Sequence, residues 1–273
     1  MEDPIYVLKI MCYTPHLDSP PPSILDPNHV NEVTQVLPSV QYASPTRYWK
    51  EWMNAIQEFG QRMAGRTQGK IVVMGGGPHS VFLRIGMELR HTFPIRYVVS
   101  GNQTPPVFDI PQIVSSQTCA NPAIITSVAK SERVWEEVKQ GTCVVFLHTN
   151  PNHKLNVDEV PGPVAGFLDV VPVINMGEDS HDVIIWTVLH AVDSIIKYVR
   201  DHPNYDSLSL VTSVPVQLAL LTGTRLLPQT LGKPIHLLDR VHHEYQLVWS
   251  SGAPADTSAD TSVEAPGEAR SEA

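Results

Sequence analysis

Lys70-Ile71-Val72-Val73-Met74-Gly75-Gly76-Gly77-Pro78 returns, at an offset of 137 residues, as Ser207-Leu208-Ser209-Leu210-Val211-Thr212-Ser213-Val214-Pro215. Each stretch is a short β-rich run, a turn of small residues and a proline. Each then continues as an apolar stripe at helical spacing, so that Pro78 falls on Pro215, Gly86 on Gly223 and Leu89 on Leu226. A proline that opens a helix has its φ angle preset and leaves no N–H orphaned in the first turn. The pattern therefore predicts strand, turn and helix, twice over. Duplication of this kind points to a fold built from two copies of one unit.

Working outward, the first copy is preceded by the apolar run Ile5 to Met11 and by a helix that Ser44-Pro45 opens, with Tyr48, Trp52, Ile56 and Phe59 in register to about Ala64. Lys70 to Met74 is a buried strand, Val81, Phe82, Ile85 and Leu89 form a helical stripe, and Ile95 to Val99 is the next strand. The second copy repeats the order: strand Asp169 to Ile174, helix Asp182 to Arg200, strand Ser207 to Val211, helix Pro215 to Leu227, strand Pro234 to Leu238. Two β-α-β-α-β units predict an α/β protein of two fused Rossmann-like halves related by an internal pseudo-two-fold repeat. Between the units, Glu132 to Lys139 reads as a helix and Thr142 to His148 as a strand; the last strand is Glu244 to Trp249. The halves are placed at 1–150 and 151–249. Residues 250–273 are Ala, Ser, Thr, Glu, Asp, Gly and Pro with Arg270, and Val263 is the only larger aliphatic, which predicts a disordered tail. Thr14 to Pro27, with five prolines, predicts a long surface loop.

Composition narrows the function classes. The 273 residues are 42% hydrophobic and 17% charged, without the run of about 20 apolar residues that a membrane span needs. Met1 to Pro4 has no basic n-region, so a cytoplasmic protein is expected. A net charge of −9 disfavours duplex nucleic acid as a partner, since duplex binding rests on neutralising many phosphates. Cys12, Cys119 and Cys143 are odd in number and form no CxxC pair, which argues against a disulfide scaffold or zinc cluster.

In open α/β sheets a ligand lies beyond the carboxyl ends of the strands, where helix N-termini offer N–H groups and positive potential. Gly75, Gly76, Gly77, Pro78 and His79 occupy that place in the first half; Thr212, Ser213, Val214, Pro215 and Gln217 occupy it in the second. Loops at the same edge add Asn102 and Gln103, then His148, Thr149 and Asn150, then Asp239 and Arg240. Amide, hydroxyl and imidazole groups suit base and ribose contacts, and arginine suits phosphate. Gly75-x-Gly77-x-x-Ser80 approaches a dinucleotide fingerprint, but the next strand ends Val99-Ser100-Gly101-Asn102 without the acid that grips an adenosine ribose. Ser80 lacks a GxSxG elbow, and His242, His243 and Glu244 lack a second ligand cluster. No catalytic residue, metal or cofactor is assigned.

The run Leu208 to Gly223, then Pro234-Ile235-His236-Leu237-Leu238-Asp239 and Tyr245, resembles the SAVED pattern of strand, small loop, proline, apolar helix with glycine, strand and tyrosine-bearing final strand. Similarity covers about residues 170 to 249, including Ile174-Asn175-Met176-Gly177 to Arg200, and the first copy extends it. The resemblance implies two fused CARF-like units that sense a cyclic oligoadenylate, tri- or tetra-, in CBASS or type III CRISPR antiphage systems. It implies a non-catalytic receptor that forms homo-oligomers on binding and activates an effector. Such domains are often joined to their effector; none is legible here, so either a separate effector protein is expected or the chain is a sensor piece. The alternative is an enzyme, a ring nuclease or a nucleotide-dependent hydrolase.

Overall fold

The computed structural model describes residues 4–12, 30–36, 45–90, 95–98, 107–110, 127–138, 140–241 and 244–252. Five strands form one sheet: β1 (Ile5–Met11), β2 (Val30–Val36), β3 (Lys70–Gly76), β4 (Ile95–Val98) and β5 (Val107–Ile110), in the order β2-β1-β3-β4-β5. Helix α1 (Pro45–Ala64) and helix α2 (His79–Leu89) connect them. Six strands form the second sheet: β6 (Val128–Val134), β7 (Gly141–His148), β8 (Val164–Pro172), β9 (Tyr205–Ser213), β10 (Ile235–Val241) and β11 (Glu244–Ser250). Their order is β11-β10-β9-β7-β8-β6, with helices α3 (His181–Asp201), α4 (Val216–Arg225) and α5 (Pro228–Leu231). Apart from the added edge strand β6, both sheets have one topology: three parallel pairings, then an antiparallel strand at one edge. Strands β6 and β7 precede residue 150 and hydrogen-bond into the second sheet.

Side-chain alternation builds the layers. Tyr6, Leu8 and Ile10 of β1 and Ile71 and Val73 of β3 face a core shared with all four long helices, whereas Val7, Val72 and Met74 form a small cluster on the opposite face. In the second sheet Cys143, Val145, Leu147, Leu208, Leu210, Ile235 and Leu237 face the shared core. Val144, Phe146, Val211 and Leu238 face outward, under Leu155 and Val160 of the loop after β7. The helices thus lie between two sheets. Helix α1 buries Trp49, Met53, Ile56, Phe59 and Met63, a stripe that matches the 3.6-residue period.

The closest approach between the halves is α2 on α4. A Cβ on Gly86 would overlap the carbonyl oxygen of Leu220, and a Cβ on Gly223 would overlap that of Leu83. At the repeat's offset Leu83 corresponds to Leu220, so the contacts are reciprocal, the pattern of a two-fold related interface.

Three sequence readings change. The helix expected over Glu132 to Lys139 is strand β6 up to Val134, antiparallel to β8, and Trp135 then donates its N–H to Ala165 O at 3.2 Å. Its Lys130, Glu132 and Arg133 are exposed, as on an edge strand, and the ladder to β8 outweighs their helical propensity. Helix α4 stops at Arg225 and not Leu227, because Leu227 precedes Pro228 and is driven to extended angles (φ −131, ψ 148). Strands β2 and β5, which the sequence reading does not contain, are the counterparts of β8 and β11, whereas β6 has none in the first sheet. Residues 253–273, Cys119 and Thr14 to Pro27 lie outside the described residues.

Candidate functional site

The first turn is fixed from beneath. Gly75 has φ 109, a conformation that glycine adopts without a side-chain penalty. Its carbonyl accepts the Tyr97 hydroxyl at 2.7 Å, and the Tyr97 ring meets Phe82 edge-on at 5.7 Å. Gly77 packs inward: a Cβ there would stand 3.1 Å from Cys12 Cβ and Ile10 Cγ2. Burial pushes the Cys12 thiol up to about 12, which leaves it protonated and unreactive. Gly76 differs, since a Cβ there would meet nothing within 4 Å. The left-handed residue of the turn is Gly75, and Gly76 is the one that borders open space.

Pro78 and Pro215 are not the first helical residues but the caps before them, with nearly equal angles (φ −57, ψ 148 and φ −50, ψ 142). Neither supplies a side-chain cap bond, so the first N–H groups of both helices depend on other partners. The two turns meet. The His79 ring, at the start of α2, is hydrogen-bonded to the Val214 backbone in the second turn; burial lowers its pKa and that bond opposes the shift. Seven residues further along each helix, Gly86 touches Gly223. Helices that touch at both points run side by side, with their N-termini at one end of the molecule.

Asp239 joins this cluster from the end of β10. Alternation along Ile235, Leu237 and Asp239 places it on the core-facing side. Its carboxylate accepts hydrogen bonds from both the hydroxyl and the backbone N–H of Ser80. Burial pushes its pKa up to about 6 although both bonds from Ser80 lower it. Thr212 and Gln217 are buried beside the second turn, each 8% exposed. Ser80 was not legible as a participant, because only the fold shows that it faces a strand 159 positions away.

Other candidates gather on the outer face of the second sheet. His148 is 1% exposed and stacks on Phe146 at 4.3 Å; its Nδ1 lies 2.6 Å from Asn150 O and its Nε2 2.7 Å from Asp169 Oδ1. Thr149 donates its N–H to Ser213 O at 3.4 Å, and Ser213 Oγ lies 2.9 Å from His153 Nδ1. Arg240 is exposed, 3.6 Å from Glu159 and 5.9 Å from the Tyr245 ring centre. These groups hold the loop that covers the outer face. Asn102 and Gln103 lie outside the described residues. Among the described residues no group of three or more His, Cys, Asp or Glu side chains is placed to hold a metal, and no helix is long and apolar enough to cross a membrane.

A cleft of about 480 Å³ lies away from the turns, at the opposite ends of α2 and α4, lined by Arg90, Lys197, Arg200, Arg225, Asp193 and Thr230 among others. Its cations sit where helix C-termini favour positive charge, and Arg225 is paired with Asp193 at 2.9 Å. The cluster of turns is the better candidate, because it combines open glycine backbone with two helix N-termini.

No family model and no curated protein matches this chain. Solved structures do. The Acinetobacter baumannii Cap4 SAVED/CARF-domain containing receptor with the cyclic trinucleotide 3′3′3′-cAAA aligns with a TM-score of 0.61 at 14% identity, over 91% of this chain and 51% of that one. The Moraxella osloensis Cap4 SAVED/CARF-domain containing receptor aligns with a TM-score of 0.53 at 13% identity, over 91% and 50%. This chain therefore spans about half the length of the proteins it matches. The fold is that of the SAVED/CARF receptors.

Proposed function

We propose, from a chain with the fold of the SAVED/CARF-domain receptors, that this protein is a receptor for a cyclic oligoadenylate bound across the two turns. The observation that carries the reading is the convergence of two helix N-termini, joined through His79 and Val214, beside the open backbone of Gly76. Two aligned N-termini supply positive potential, and neither carries a side-chain cap from its own proline, which suits the phosphates of an anionic ring. Gly76 leaves room for that ring to reach the backbone. The solved relative with 3′3′3′-cAAA supports this ligand class, and a tri- or tetra-adenylate is the expected size. On binding, the receptor forms homo-oligomers and activates an effector in antiphage defence.

A second reading, cleavage of the bound ring, has one observation in its favour. His153 is oriented by Ser213 at 2.9 Å, as a general base is oriented by a neighbour. That pair is exposed on the outer face of the sheet, whereas Asp239 and Ser80 meet on the core-facing side between the helices, and the receptor reading is preferred.

Calorimetric titration with 3′3′3′-cAAA tests the assignment in wild type and Gly76→Val. A Cβ at position 76 meets no neighbour within 4 Å and the position needs no left-handed backbone, so the variant folds, which circular dichroism checks. It fills the space the ligand requires, and binding is lost. Wild-type affinity in the folded variant would move the site away from the turns, and linear products in the incubated mixture would favour the enzyme.

A further inference from the structure

The two helix N-termini carry opposite endowments, although the repeat makes them equivalent. Helix α4 has no acidic residue in its first turn and no side-chain cap. Helix α2 has none of its own either, yet an anion stands there already: the Asp239 carboxylate, brought from the second half by β10 and held by the Ser80 hydroxyl and N–H. That carboxylate consumes a donor that a phosphate would use, and its charge opposes the helix potential that would attract one. Two carboxylate oxygens provide about four acceptor sites, of which Ser80 takes two. What remains accepts a donor hydrogen and repels an anion.

We propose that Asp239 is a specificity-determining residue that orients the ligand. It turns the phosphates toward the α4 turn and accepts a neutral N–H or O–H donor of the ring at the α2 turn. The inference rests on the receptor reading and adds a polarity to it. A purine exocyclic amine and a ribose 2′-hydroxyl both provide such a donor, and the ligand's chemistry separates them. Replacing the amine by a carbonyl, as in a cyclic tri-inosinate, sets an acceptor against Asp239. Replacing the hydroxyl by hydrogen, as in a cyclic tri-deoxyadenylate, removes the donor.

The test is titration of wild type, Asp239→Asn and Ser80→Ala with 3′3′3′-cAAA and with these two rings. Asparagine keeps an acceptor for Ser80 and removes a half-buried charge, so the variant remains folded, which circular dichroism checks. In wild type one of the two altered rings binds at least about tenfold more weakly than 3′3′3′-cAAA, as for a hydrogen bond to a charged group. In Asp239→Asn the 3′3′3′-cAAA affinity falls by a similar factor and the discrimination disappears. In Ser80→Ala, which leaves the carboxylate in place, the discrimination persists. Equal discrimination in wild type and Asp239→Asn overturns the inference while leaving the receptor reading intact. Failure of wild type to bind any of the rings overturns both.

Discussion

Gly86 of α2 and Gly223 of α4 lie backbone against backbone: a Cβ on Gly86 would stand 2.9 Å from the carbonyl carbon of Gly223, and one on Gly223 would stand 3.1 Å from Gly86 Cα. Packed helices ordinarily keep their axes about 8–10 Å apart because side chains intervene. Here the halves join through main chain, and the contact holds the two turns side by side. Glycine at both positions of the repeat is thus a packing requirement.

Alanine at position 86 is expected to destabilise the protein by about 1–3 kcal/mol, the usual cost of overpacking, despite the gain of about 1 kcal/mol in helix propensity. Urea unfolding of Gly86→Ala and Gly223→Ala measures it. A stability equal to wild type in both would mean that the helices are not in main-chain contact.

This contact explains why the repeat was legible. Pro78 and Pro215 cap the helices and Gly86 and Gly223 form the crossing, so the residues that show the duplication are those for which few substitutes exist. Other elements leave no such mark. On β2 the half-buried positions include Glu32 and Thr34, which bond Arg62 of α1 at 3.0 and 2.9 Å, while Val33 is exposed, so the strand lacks an apolar alternation. The site was legible as a set of strand ends and not as an arrangement. The two-residue period sends Asp239 to the core-facing side and His148, Ser213 and Arg240 to the other. The partnership of Ser80 with Asp239 requires the tertiary fold.

The stability of the protein should carry the signature of Asp239. Its carboxyl is raised from 3.8 to about 6 in the folded state, so between those values the native protein binds the proton that the unfolded chain releases. The resulting stabilisation is present in full below 3.8 and is lost as pH rises through about 6. Asp239→Asn lacks this dependence. The stability of wild type minus that of the variant is expected to grow as pH falls from about 7 toward about 4, in denaturant midpoints measured at each pH. A difference independent of pH would place the carboxylate in solvent.

His148 is expected to hold the loop over the outer face, because it ties Asp169 of β8 to the Asn150 carbonyl. Removing its ring leaves that carboxylate and carbonyl without their partner. In His148→Ala, trypsin should cleave after the exposed Lys154 faster than in wild type while the central helices stay folded. An unchanged cleavage rate would assign the loop's order to its apolar contacts, Leu155 and Val160, alone.

A cyclic oligonucleotide that binds between the turns raises the stability of the native state, which thermal unfolding of wild type against a panel of cyclic di-, tri- and tetranucleotides measures. A ligand at about 100 times its dissociation constant stabilises the native state by about 2.7 kcal/mol. The melting temperature of wild type is expected to rise clearly with 3′3′3′-cAAA or a cyclic tetra-adenylate, and that of Gly76→Val to stay unchanged. A wild-type melting temperature unmoved by every ring, in a protein that unfolds cooperatively, would contradict binding between the turns.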